Sequence, residues 1–350
     1  MIEPTPTRPR RWLPFLPFVL VVVIAVAWSA AWVFAARRAD AIITAWIEQE
    51  ARSGRVYSCG SRTSGGYPFR IEVRCTDPAV ELASLSPPRT LRAKELVGVA
   101  QVYQPNLIIA EITGPLAIVE ADAPALWRAD WRLAQASLRG RARNPERLSI
   151  VLDELKLERA EGSPGETLGT ANHLELHLRR NPASAADKPV IEFAFDVAGA
   201  TVPSAAMLAG PPFDGEITAL VSGLSDLQAK PVSARLREWQ GAGGRLEVTK
   251  LRIRQGEAIA LAAGEIGLSA AGRPDGAFNI TMAGFDRLAQ DLAKRGGQAN
   301  GLQLGVVAGL SFLGRPAEID GKRAVSVPLR FKDGAVSLGP IPLGKIPPLY

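Results

Sequence analysis

Cysteine and histidine, the side chains best suited to nucleophilic, redox or metal chemistry near neutral pH, occur only twice each in this chain. Cys59 and Cys75 lie 16 positions apart in "YSCGSRTSGGYPFRIEVRC", residues 57–75. Redox chemistry would call for a C-x-x-C spacing. A zinc clip would call for about four ligands, and no histidine lies nearby to complete one. Two cysteines joining the strands of a hairpin fit better, and closing a loop of that length is worth about 3 kcal/mol in the chain-entropy model. A lasting disulfide implies an oxidising compartment. His173 and His177 stand in "HLELH" with Glu175 between them. This is not the helical zinc-protease motif, which places Glu directly after the first His. On a strand the two imidazoles are about 13 Å apart, too far to share one ion through bonds of about 2.1 Å. The pattern reads as a solvated strand face opposite Leu174, Leu176 and Leu178.

No other constellation points to catalysis. There is no G-x-S-x-G elbow. Residues 314–322 approach a phosphate loop with the wrong spacing and are followed by Arg323. "GAGGRL", residues 241–246, lacks the third glycine of a dinucleotide fingerprint and precedes a strand. Asp153, Glu154 and Glu161 read as exposed strand or turn residues. The expectation is a protein with no catalytic residue, no cofactor and no metal, a hydrolase-type activity being the weakest alternative.

The elements that position these residues begin with a membrane segment. Residues 15–36 carry no charge over 22 positions, about 33 Å as a helix and enough for a bilayer core. Trp12 and Trp32 would sit near the two interfaces, with Trp28 between them. The length favours an uncleaved anchor over a signal sequence, although Ala25, Ala27, Ser29 and Ala31 are small enough for a cleavage site. Arg8, Arg10 and Arg11 precede the span and Arg37, Arg38, Arg52 and Arg55 follow it, so charge does not orient it. The cysteines do: the N-terminus is expected in the cytoplasm and the main domain in a periplasm-like space, at a bacterial inner membrane.

In residues 39–52, Ile42, Ile43, Trp46 and Ile47 share one helical face. After Gly54 the apolar period becomes two. Ile71, Val73 and Cys75 alternate with Glu72 and Arg74, and residues 107–120, 131–139 and 148–158 continue the series as one-sided antiparallel strands. "FAFDVAG" (193–199) repeats as "FNITMAG" (278–284), each followed by a helix candidate, at 203–210 and 285–296. Upstream, Leu155 and Leu157 correspond to Leu251 and Ile253, and Leu174 and Leu176 to Ile266 and Leu268. "GLQLGVVAGLSFLG" (301–314) is expected to be a buried or groove-lining helix, and residues 327–338 a hairpin turning at Asp333-Gly334. The organisation is a tail at 1–14, an anchor at 15–36, a connecting helix at 37–54 and a β-rich domain at 55–350, with suspected repeat units at about 148–210 and 246–296. The fold class is α+β, mostly antiparallel β: a curved, twisted, meandering sheet with a few packed helices.

Composition agrees with a folded domain of many turns: 47% hydrophobic and 22% charged residues, with 33 Gly and 27 Pro in 350 positions. The net charge of +6 comes from scattered basic residues with only 6% aromatics, which argues against nucleic acid and leaves a weak attraction to anionic lipid.

The short basic N-terminus, the single anchor, "GYPFRIEVRC" (66–75), "AAGRPDGAFNITMAG" (270–284) and "DGAVSLGPIPLG" (333–344) together resemble the DUF2125 family of alphaproteobacteria, whose layout is similar to that of AsmA-like envelope proteins. The resemblance implies a membrane-anchored sheet with an apolar face, associated with lipid movement or envelope maintenance, and brings no catalytic residues. The candidate apolar groove is Ile71, Val73, Leu174, Leu176, Phe193, Phe195, Val197, Ile266, Leu268, Phe278, Ile280 and Met282. Membrane lipids are the expected partners, as anchor medium and as cargo. The alternative is a scaffold that holds an envelope protein through sheet edges.

Overall fold

The computed structural model describes the chain except residues 1–14, 84, 86, 121–124, 142–143, 161–164, 186, 204–209, 225–229 and 285–313. Helix α1, Leu16–Arg52, runs 37 residues without a break, so the expected anchor and connecting helix are one element. It is long and apolar enough to cross a membrane, consistent with a single-pass anchor. At 1.5 Å per residue it measures about 55 Å, longer than the roughly 30 Å of a bilayer core. It ends at Ser53, where Gly54 takes φ of 78° and donates to the Ala51 carbonyl.

Six bent passes follow. They are β1 (Arg55–Ser58) with β2 (Ser61–Gly65), β3 (Arg70–Thr76) with β4 (Ala79–Leu82), β5 (Arg89–Arg92) with β6 (Glu95–Gln101), β7 (Gln104–Thr113) with β8 (Leu116–Glu120), β9 (Ala125–Asp130) with β10 (Leu133–Arg141), and the unbroken β11 (Asn144–Arg159). In each of the first five passes two residues interrupt the strand at the same level. On one side of this line β2, β3, β6, β7, β10 and β11 pair in order. On the other side β1, β4, β5, β8, β9 and β11 do so. The line is a crease across a single meander, and backbone bonds such as Gly60 N–H to Thr76 O and Lys94 N–H to Thr113 O continue through it. Turn chemistry writes the crease: Gly60, Pro78 and Gly114-Pro115 break strands, and Asp77 (φ 45°) and Glu154 (φ 53°) take left-handed backbone.

The meander goes on through β12 (Glu166–Arg180), β13 (Ile191–Ala200), β14 (Phe213–Ser222), β15 (Arg245–Gln255), β16 (Ala258–Leu268) and β17 (Pro274–Ala283). Beyond it β18 (Arg315–Ile319) and β20 (Ala335–Leu338) share the outer edge of β19 (Lys322–Lys332), and β21 (Ile341–Lys345) closes the edge. The result is one open antiparallel sheet of 21 strands. At about 4.8 Å between neighbours, the path from β2 to β21 is roughly 65 Å wide. The second helix, α2 (Val232–Gly241), bridges β14 and β15, where Trp239 donates to the Ser222 carbonyl at 2.7 Å and its indole fills the place of a side chain on Gly244.

Many of the buried apolar residues are small: Ala134, Ala171, Ala219, Ala283 and Ala324 accompany Val248, Ile259, Ile319 and Val327. The two buried clusters sit at the C-terminal end, Ile259–Ala283–Ile319–Ala324 and Val327–Leu338, the second packed by Met282, Val325, Leu329 and Leu343. The two copies of the repeated motif lie on strands β13 and β17, and each ends in a left-handed glycine, Gly199 (φ 60°) within the last residues of β13 and Gly284 (φ 72°) just after β17. Their neighbours do not correspond in register. Phe193 faces Leu178 and Phe278 faces Gly264, while Leu174 faces Val197 and Ile266 faces Gly276. The helix candidates after each copy, and residues 301–313, lie outside the described residues.

Candidate functional site: a charge-free face of the sheet

Directly opposed residues in an antiparallel pair project to the same face, so register traces a face across the whole sheet. One ladder reads Ile71, Ala100, Ile108, Leu138, Leu148, Leu178, Phe193, Ala219, Val248, Gly264, Phe278, Leu329, Leu338. Two residues along, a second reads Val73, Gly98, Ala110, Ala136, Ile150, Leu176, Phe195, Ile217, Leu251, Ala262, Ile280, Val327. A third begins at Ala134 and runs Leu152, Leu174, Val197, Gly215, Ile253, Ala260, Met282, Val325. None of the three contains a charged residue.

Of the twelve candidate groove residues, ten stand on these ladders, and Ile266 and Leu268 lie two and four positions beyond Gly264 on β16. Sequence reading missed the contribution of β11 (Leu148, Ile150, Leu152), although the alternation is legible there. It also missed β15, where a bulge at Thr249 shifts the phase between Val248 and Leu251 and so hides the period. Most large side chains on the three ladders are half-buried, and Ile108 is 38% exposed. Neighbours crowd each residue from the sides without sealing the face.

The opposite face is polar. Ser149, His177, Ala194, Thr218 and Lys250 form one rung, and Val151, Glu175, Asp196, Glu216 and Arg252 another. The two histidines share the carboxylate of Glu175, which lies between them on the same face of β12. Glu175 receives His173 Nε2 at 2.9 Å and His177 Nε2 at 2.8 Å, and His173 Nδ1 lies 2.6 Å from Asp153. With a carboxylate on each ring nitrogen, the His173 pKa is raised, first by its hydrogen bond to Asp153 and then by the one to Glu175. The same bonds lower those of Asp153 and Glu175. A depression of about 590 Å³ opens on this face beside His173. Its charges largely answer one another, Arg252 with Asp320 at 2.5 Å, Arg254 with Asp214 at 2.6 Å and Lys322 with Glu257 at 2.8 Å. Among the described residues no group of three or more His, Cys, Asp or Glu is placed to hold a metal ion.

At its N-terminal edge the sheet is docked on α1. Cys59 and Cys75 are bonded, their Cα atoms 5.6 Å apart, tying the β1–β2 break to β3. Along the helix, Arg55 meets Glu50 at 2.5 Å, Tyr57 stacks near Trp46 with ring centres 4.8 Å apart, and Arg62 reaches Asp40 at 2.9 Å. Nearer the helix N-terminus, Ser29 Oγ lies 2.8 Å from the Tyr67 hydroxyl. The indole N–H groups of Trp28 and Trp32 donate to the Pro68 and Arg70 carbonyls at 2.9 and 2.8 Å. Two of the three charge-free ladders start on β3, the strand that leaves this contact.

Fold and face together define a single-sheet protein docked on one long apolar helix, with charge-free ladders on one face of the sheet and polar rungs on the other. The chain belongs to the DUF2125 family, described as an uncharacterised protein conserved in bacteria, whose profile matches residues 32–347. No curated protein matches the chain.

Proposed function

We propose that this protein handles lipid at the bacterial inner membrane, with α1 as a single-pass anchor, its N-terminus cytoplasmic and the sheet in the periplasm. The observation that carries the reading is the set of charge-free ladders: two of them begin on the strand docked against the membrane helix, and all three cross the sheet to β19 with most of their large side chains half-buried. An apolar patch of that extent on a water-soluble domain marks a surface for another apolar partner. Acyl chains fit it because they need no register, no hydrogen bonds and no charge, and each buried methylene gains about 0.8 kcal/mol. The Cys59–Cys75 bond supports the periplasmic side, where such bonds persist. The chemistry is binding and passage, with no bond made or broken.

The test is mass spectrometry of lipid co-purified with the full chain. Leu176→Asp together with Phe195→Asp, an opposed pair in the second ladder, is expected to lower bound phospholipid at least fivefold. Ala194→Asp on the polar face is expected to leave it unchanged. Equal lipid in wild type and the double variant, with the β-sheet circular dichroism retained in both, refutes the reading.

A further inference from the structure

The β2–β3 turn touches α1 at residues 28–32, inside the uncharged run, and this placement has a geometric consequence. If the membrane surface lay at Trp28, the helix on its N-terminal side would be residues 16–27, about 18 Å long. That is far short of the roughly 30 Å of a hydrocarbon core. If the surface lies at Arg37, the first charge after the run, residues 16–36 provide about 32 Å and the match is good. Trp32 and Trp28 then lie about 7 and 13 Å below that surface, and the turn hydrogen-bonded to them lies at the same depth.

From these contacts we infer that the turn carrying Tyr67, Pro68 and Phe69 is inserted into the near leaflet of the bilayer, beside the anchor, together with the neighbouring β6–β7 turn. The inference rests on α1 spanning a bilayer and is independent of what the sheet carries. Exposure and chemistry both fit. Tyr67 is 55% exposed, Phe69 61% and Tyr103 68%, large aromatic surfaces at the end of the sheet that meets the helix. The second turn is held beside the first by Val102 N–H donating to the Phe69 carbonyl at 3.0 Å. Residues 63–69 and 96–110 contain no charged side chain. Backbone carbonyls in hydrocarbon need partners, and those of Pro68 and Arg70 have them in the two indole N–H groups. Tyr and Trp are the residues enriched where acyl chains meet headgroups. Arg70, its side chain 59% exposed and beside Glu72 at 3.2 Å, has the length to reach back toward the headgroups. Ile71 and Val73 follow directly, so the apolar ladders open at the level of the acyl chains.

The experiment is depth measurement by electron paramagnetic resonance on the full chain in vesicles of phosphatidylcholine and phosphatidylglycerol. Phe69→Cys and Tyr103→Cys carry the nitroxide, the native cysteines being bonded to each other. Ile24→Cys within the helix and Ser337→Cys on β20 serve as lipid and water references. Labels at 69 and 103 are expected to resemble position 24, with high collision rates with oxygen and low rates with a nickel chelate. Nickel accessibility at 69 and 103 equal to that at 337, with position 24 still in lipid, overturns the inference. Loss of lipid co-purification would leave this result untouched, so the two readings fail separately.

Discussion

His173 shows how a surface residue acquires a shifted pKa. Asp153 and Glu175 take both ring nitrogens, raising its pKa and lowering theirs. The sign of the linkage follows. The His173 contribution is complete below the ordinary histidine value and fades as pH rises through the raised folded value. The Asp153 contribution is present above the ordinary carboxylate value and fades as pH falls through its lowered one. Asp153→Asn is therefore expected to lower the His173 midpoint, read by NMR titration, toward the ordinary histidine value of 6.5. An unchanged midpoint would show that Glu175 alone sets the charge. "HLELH" disclosed the strand and its polar side; Asp153, 20 positions away and one strand over, entered only through the register of β11 on β12. Long-range pairing leaves no local signature in the sequence.

At the scale of single elements, the two cysteines and one glycine govern stability. Replacing both Cys59 and Cys75 by Ser is expected to cost about 3 kcal/mol in the chain-entropy model, read from denaturant midpoints under oxidising conditions. The same variants compared in reductant should differ little from wild type. Gly264 lies under Phe278, and a Cβ there would come 2.2 Å from the Ala277 carbonyl oxygen. Gly264→Val is expected to disrupt the β16–β17 pair, seen as loss of amide-exchange protection at 278–282, although valine has the higher strand propensity. The bent passes were partly legible, since Gly114-Pro115 marked a break between β7 and β8. Their alignment into one crease was not, because it depends on five breaks meeting at the same level of the sheet.

Across the whole molecule, the position of an apolar residue along the ladders decides what its loss does. Val327, 1% exposed among Leu338, Met282 and Leu329, belongs to a closed core. Val327→Ala is expected to cost about 2 kcal/mol in stability, from lost burial and the cavity left behind. Ile150, half-buried mid-sheet between Ala136 and Leu176, belongs to the open part of the face. Ile150→Lys is expected to act mainly on lipid content, with a much smaller change in melting temperature than a sealed core would show. Equal destabilisation by both variants would mean that the face is sealed along its whole length.

The sequence by itself determined the charge-free helix, the period-two strands, the antiparallel meander and the pairing of the cysteines, because each depends on neighbours within one or two turns of chain. It also marked twelve residues of the apolar face, since alternation on a strand assigns sides without knowledge of partners. Tertiary structure alone decided that these sides join into ladders across the sheet, that a bulge at Thr249 keeps β15 in phase, and that the Tyr67–Phe69 turn meets Trp28 and Trp32. Those outcomes depend on register and docking between segments as far as 51 residues apart, as for Phe278 and Leu329, where the free energy of many weak cross-strand pairs acts together and no single residue type announces the result.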